Sequence, residues 1–168
     1  ILTFLTAIFY RRHGTLSLGA VTLVPVVFAL SWILGTMYLL GIPFNTETAI
    51  IASIAIGLGV DYAIHVSERF VEETKDAANT HEALLSTVSG TGGALLASAA
   101  TTASGFGVLT LALVPSLRRF GLVTGTTIVF AFVASVYVLP SLLALWAERA
   151  PSMESAFESD PEVAETTD

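Results

Sequence analysis

Residues 48–69 read Thr-Ala-Ile-Ile-Ala-Ser-Ile-Ala-Ile-Gly-Leu-Gly-Val-Asp-Tyr-Ala-Ile-His-Val-Ser-Glu-Arg. The stretch 48–66 is apolar enough, and at about 20 residues long enough, to cross a ~30 Å hydrocarbon core as a helix. It nevertheless carries one acid, Asp61. Further runs of this kind occupy 16–40, 94–114 and 122–146. Hydrocarbon holds no water to satisfy backbone N–H and C=O groups, so runs of this length form helices rather than strands. Residues 1–10 cover about half a span and read as the end of a helix whose beginning lies upstream. The expected fold class is an all-α polytopic membrane protein. It has four full transmembrane helices plus one truncated helix in a membrane domain over 1–147, and a disordered acidic tail over 148–168.

Composition supports this reading and removes others. Of 168 residues, 54% are hydrophobic and 12% charged, where a soluble domain carries about a quarter charged residues. The net charge of −7 misleads, because 150–168 holds six acids (Glu154, Glu158, Asp160, Glu162, Glu165, Asp168) and no base. Eight acids remain against seven bases in the rest, which excludes a basic nucleic-acid-binding surface. Zero cysteines remove disulfides, thiol catalysis and Cys-built zinc sites. Three scattered histidines do not make a metal site. Neither a Gly-rich phosphate loop, nor a serine nucleophile elbow, nor a zincin histidine pair is present. An intramembrane aspartyl protease would need a second acid at the depth of Asp61, to share a proton and a water. The chain therefore reads as neither an enzyme nor a cofactor protein.

Orientation follows from Lys and Arg in the short loops. Arg11, Arg12, Arg69, Lys75 and Arg149 fall on one side, Arg118 and Arg119 on the other. The majority puts the polar stretch 67–93 and the tail in the cytoplasm, with Arg118-Arg119 as the exception. Tyr10 and Trp146 then sit at the cytoplasmic interface and Tyr38 near the outer one. Within 67–93, Thr80 can cap a short interfacial helix containing Ala83, Leu84, Leu85 and Val88. Gly90, Gly92 and Gly93 then permit a turn back into the bilayer.

Asp61 lies eight residues before Arg69, about 12 Å of helix from the charged edge. Insertion scales charge about 2.5–3.5 kcal/mol for Asp near the centre of a span. Hydrocarbon favours the neutral form of a carboxyl, so an acid there can load and release a proton when water or a partner reaches it. Ser53, Gly57, Asp61 and His65 recur every four residues, as one small-and-polar stripe. Ser98, Thr101, Thr102 and Gly105 form a second stripe on the next span, and Thr101 lies eight residues from Gly93. Antiparallel neighbours would bring Asp61 opposite the hydroxyls of Thr101 or Thr102. Other roles stay open: Asp61 as neutral hydrogen-bonded glue, Tyr62 as interface filler, His65 as a solvated residue at the membrane edge. Asn45 and Glu47 read as a solvated helix start. Gly121-x-x-x-Gly125 is a helix-packing signal, and Pro25 and Pro140 kink or end helices.

Gly57-Leu-Gly-Val-Asp61-Tyr62 and the charged helix after it resemble the GxxxDY segment of the resistance-nodulation-division (RND) superfamily. The branch that this resembles is the MMPL and hopanoid-exporter type, related to Patched and sterol-sensing domains. Thr101-Thr102-Ala-Ser-Gly105-Phe106, the loop Pro115-Ser-Leu-Arg-Arg-Phe-Gly121, and Leu139-Pro140-Ser-Leu-Leu are similar to later segments of that family, in the same order. The resemblance implies a transporter of two six-helix repeats, each interrupted by a large extracytoplasmic domain. This chain would supply most of one repeat, the C-terminal one by its tail, and would not transport alone. It implies proton relay through Asp61 and Tyr62, supported by Ser53, Gly57, Thr101, Thr102 and Gly105, with His65 as a minor candidate. The coupling ion is the proton, and no other cofactor is implied. The implied partners are the other repeat, the extracytoplasmic domains and a lipid or amphiphilic substrate. A sterol-sensing-type regulatory module and a SecDF-like export accessory are the rival implications. Upstream of Ile1 the resemblance implies a further membrane helix, then a soluble domain and a second Gly-x-x-x-Asp-Tyr-like run.

Overall fold

The computed structural model describes residues 16–149, apart from the side chains of Leu16, Glu47 and Ala55. The half span at 1–10, Tyr10, Arg11-Arg12 and the tail from 150 onward lie outside the described residues. The elements are α1 (Leu16–Leu39), α2 (Thr46–Glu73), α3 (Thr80–Val108), α4 (Pro115–Val133) and α5 (Leu139–Arg149). A 3-10 turn, Leu109–Leu111, follows α3, and a π-helical segment, Ala134–Val138, joins α4 to α5. No strand occurs among the described residues. Four stretches are long and apolar enough to cross a membrane: Ser17–Leu39, Thr48–Glu73, Thr80–Leu111 and Pro115–Arg149.

The ends of the helices follow local chemistry. Past the end of α1, Gly41 takes φ +64°, the left-handed conformation that glycine adopts without a Cβ penalty. Ile42 N–H returns to the Met37 carbonyl at 2.9 Å, the bond that closes a Schellman motif. Asn45 then caps α2, accepting from Thr48 N–H at 3.0 Å while Thr48 Oγ1 accepts from Asn45 N–H at 2.7 Å. This reciprocal box satisfies two donors that a helix start would leave orphaned.

At the other end of the bundle the structure corrects the expected loop. Residues 67–73 continue α2, and α3 starts at Thr80, so the polar stretch between them shrinks to 74–79. The cap is Asn79 rather than Thr80, accepting from Glu82 N–H at 2.9 Å, and Glu82 accepts from Ala78 N–H at 3.1 Å. No separate interfacial helix forms, and Gly90, Gly92 and Gly93 do not turn the chain. α3 runs unbroken for 29 residues, about 43 Å. Each glycine costs about 1 kcal/mol against alanine in a helix. Breaking the ladder near hydrocarbon would strand backbone groups at several kcal/mol each, so the helix persists.

The chain also passes both internal prolines. Pro25 lies inside α1. Pro140 has no N–H and its ring crowds the carbonyl four residues back. The preceding turn has widened, with Leu139 N–H bonding the Ala134 carbonyl five residues back, and a π-bulge absorbs such a mismatch without ending a helix.

α2 and α4 form the centre, with α1 and α3 on opposite flanks. Lipid is as apolar as leucine, so close packing and hydrogen bonds, rather than exclusion from water, hold membrane helices together. The Gly121-x-x-x-Gly125 face of α4 lies directly on α3: a Cβ at Gly121 would stand 2.5 Å from the Phe106 carbonyl oxygen and 2.6 Å from Leu109 Cβ. A Cβ at Gly125 would meet the Ala103 carbonyl oxygen at 3.4 Å. Inside the bundle, Thr22 Oγ1 and Ser67 Oγ lie 2.8 Å apart, both fully buried. Thr22 already donates to the Leu18 carbonyl, so Ser67 is the donor between them. Trp146 Nε1 donates to Ser17 Oγ at 2.8 Å and ties the end of α5 to the start of α1.

Gly121→Ala is expected to destabilise the membrane domain by about 1–3 kcal/mol through overpacking. Gly35→Ala, where a Cβ meets nothing within 4 Å, should cost nothing. Thermal unfolding of the two variants in detergent checks this, and equal midpoints would contradict the close approach of α3 and α4.

Candidate functional site

Asp61 and Tyr62 are neighbours in sequence but point to different places. Successive residues of a helix are rotated by about 100°, so only one of the pair can face a given neighbour. Tyr62 faces inward, 3% exposed, with its hydroxyl toward the Ser98 side chain of α3. Asp61 faces away from the described helices, with its side chain 64% exposed. Its Oδ1 lies 3.7 Å from His65 Nε2, one turn along α2.

The expected depth match between α2 and α3 is close, and the expected partner is not. Tyr62 meets Ser98, and the Arg69 guanidinium lies 3.9 Å from where a Cβ on Gly90 would be. Both contacts set Asp61 about two residues from the register that pairs it with Thr101. The hydroxyls expected to receive Asp61 are turned back on their own helix, however. Thr101 donates to the Ala97 carbonyl and Thr102 to the Ser98 carbonyl, each at 2.8 Å. Threonine on a helix readily satisfies itself this way, which a count of depth along the span does not see. Ser98 belongs to the same stripe, and rotation rather than depth singles it out.

The small-and-polar stripe of α2 is nonetheless a coherent surface. Ser53, Gly57, Asp61 and His65 are all exposed, and Ser53 spends its hydroxyl on the Ala49 carbonyl at 3.1 Å. On α3, Thr101 and Gly105 are exposed and Thr102 is half-buried. Gly57 and Gly105 each have nothing within 4 Å of a would-be Cβ. Toward the charged edge, Arg69 bonds Glu72 at 2.9 Å and also pairs with Glu73, which anchors the end of α2. No group of three or more His, Asp or Glu residues able to hold a metal occurs among the described residues. The arrangement offers an acid with an imidazole one turn away, on a face that nothing in 16–149 covers, while the neighbouring Tyr62 turns inward toward α3.

The model of the MMPL family matches residues 12–162. A membrane protein of Methanocaldococcus jannaschii is 39% identical over 73% of this chain and 32% of its own length. The sulfolipid-1 exporter MmpL8 of Mycobacterium tuberculosis is 26% identical over 84% of the chain and 13% of its own length. Protein patched homolog 1 of Danio rerio is 29% identical over 80% of the chain and 11% of its own length. The chain thus spans a third or less of each of these relatives. No solved structure matches it at a significant level.

Tyr62→Phe and Ser98→Ala each remove one hydroxyl of the Tyr62–Ser98 pair. Each should lower stability by about 0.6–1 kcal/mol, the usual worth of an interhelical bond in a membrane. The double variant should cost no more than either single one. Unfolding measurements arranged as a double-mutant cycle read this coupling, and strictly additive losses would show that the two hydroxyls are not partners.

Proposed function

This chain belongs to the MMPL family, and from that premise we propose that it is membrane machinery of a proton-motive-force-driven exporter of lipids or other amphiphiles. Asp61 and Tyr62 stand in its proton relay. The observation that carries the reading is the placement of Asp61, the one acid deep in an apolar span, on a small-residue face that the described helices leave open. Bare lipid is a costly neighbour for that carboxyl, at about 2.5–3.5 kcal/mol. In the intact protein this face packs against the remainder of the transporter, whose other six-helix repeat supplies the counterpart of the Asp-Tyr pair.

In this mechanism Asp61 takes a proton from the outer side and becomes neutral. Neutralisation removes the charge that resisted burial, so the face of α2 can close against its partner repeat. Release to the inner side restores the charge and reopens it. Gly57 and Ser53 keep the face flat enough for close approach. His65, one turn toward the charged edge, is placed to pass the proton on. Tyr62, held by Ser98, backs the acid with a hydroxyl at the same depth. Thr101, Thr102 and Gly105 continue the small-residue face on α3. The proton is the coupling ion, and no other cofactor or enzymatic step is required. By the count of Lys and Arg, the turn 74–79 and the C-terminal tail face the cytoplasm across the cell membrane. A lipid-class substrate rests on the likeness to the sulfolipid exporter, and extracytoplasmic domains outside this chain would select it.

The likeness to protein patched homolog 1 supports a second reading, a sterol-sensing-type module that binds lipid without proton flux. Asp61→Asn in the intact protein separates the two. The antiport reading expects export and coupled proton flux to fall to background while the protein still folds and reaches the membrane. Wild-type export and flux in that variant would eliminate antiport and leave the sensor or the structural-glue reading.

A further inference from the structure

Arg118 and Arg119 are the cations that run against the orientation of the other loops, and the proton-relay reading gives them no task. They occupy the start of α4 just after Pro115 at its first position, where the helix dipole repels positive charge. The first turn contains no acid to offset them, and the cap residue Val114 offers no side-chain acceptor. Both side chains are exposed, and neither forms an ion pair with any described residue. Three unfavourable circumstances thus meet at one point: opposed topology, an opposed dipole and missing counter-charge.

The surroundings of the two arginines identify the missing anion. Leu113 is 95% exposed, Leu111 82%, and Val114 and Leu117 about half. These side chains flank the arginines within two turns, at the end of a span, so they mark the level at which hydrocarbon gives way to headgroups. A guanidinium one turn from such a shoulder reaches the phosphate layer, where long cationic side chains settle. The platform is also fixed. Phe120 packs at a tilt against Phe106 with ring centroids 5.8 Å apart, and Gly121 seats this turn on the α3 backbone. The arginines are therefore presented from a rigid turn, at low ordering cost.

We propose that Arg118 and Arg119 form a binding site for the phosphodiester of an anionic phospholipid, with the exposed leucines receiving its acyl chains. Planar guanidinium groups bind phosphate bidentately, and two adjacent ones match a headgroup better than they match a zwitterion carrying its own cation. The site is independent of the proton relay and of the transported substrate. It anchors the α3–α4 end of the bundle to the lipid leaflet.

The test uses the full-length protein in detergent, read by native mass spectrometry as lipid retained. Dioleoyl phosphatidylglycerol, dioleoyl phosphatidylcholine and inorganic phosphate are added in separate arms. The wild type should retain phosphatidylglycerol in preference to phosphatidylcholine, and inorganic phosphate should not displace it. R118Q/R119Q should weaken phosphatidylglycerol binding roughly thirtyfold, from the loss of two interfacial charges. R118Q and R119Q alone should each take about half of that effect on a logarithmic scale, and Arg149→Gln should change nothing. Three results would overturn the proposal. They are equal retention of the two lipids by the wild type, as expected if acidic groups elsewhere in the protein occupy the arginines; unchanged binding in the glutamine variants; and displacement by inorganic phosphate, which would mark a site for soluble anions. The lipid comparison on the wild type decides the matter even where a double variant fails to fold.

Discussion

Hydrocarbon accepts no hydrogen bond and donates none, and the backbone of the described helices answers to that. Backbone groups are closed inside helices, and where the local sequence argues for a break, at Gly90–Gly93 or at Pro140, the ladder is kept or widened rather than opened. Most side-chain hydroxyls obey the same rule by turning back on their own helix, while those of Thr124 and Ser135 are buried without a partner. Where two hydroxyls find each other instead, as Thr22 and Ser67 do, they are sealed from everything else.

Asp61 is the conspicuous exception, because no described residue except His65 comes near enough to answer its charge. Asp61 lies on a face of serine and glycine, open to whatever packs there. Tyr62 does the opposite, turning into the bundle to meet Ser98. The pair divides its work by a rotation of about 100°: one residue serves the surface to be covered, the other fixes that surface to α3. The arginines at 118 and 119 are a second open polar group, placed at the rim where lipid phosphates rather than protein can close it.

Much of this is legible in the sequence. Lengths of apolar runs place all four spans, because the thickness of the bilayer leaves helix length little freedom. The motifs point to the family whose model covers residues 12–162. Gly121-x-x-x-Gly125 marks a close helix contact, which the structure places against Phe106 and Leu109. The turn between α2 and α3 is harder to read, since glycines and polar residues look alike in a loop and in the water-facing half of a long helix. The partner of Asp61 is hidden for a different reason. Spacing along a helix gives depth to within a turn, but the azimuth of a side chain depends on how neighbouring helices are packed. Ser98 rather than Thr101 is therefore visible only in three dimensions.

A relay residue must gain and lose a proton as the protein works, and for Asp61 infrared difference spectroscopy reads this directly. The intact protein is stepped between acid and alkaline pH in lipid. A carboxylic-acid C=O band should appear on acidification, disappear on return and be absent from Asp61→Asn. A band assigned to Asp61 that persists unchanged across the same steps would show a permanently neutral structural residue, and would contradict its part in a relay.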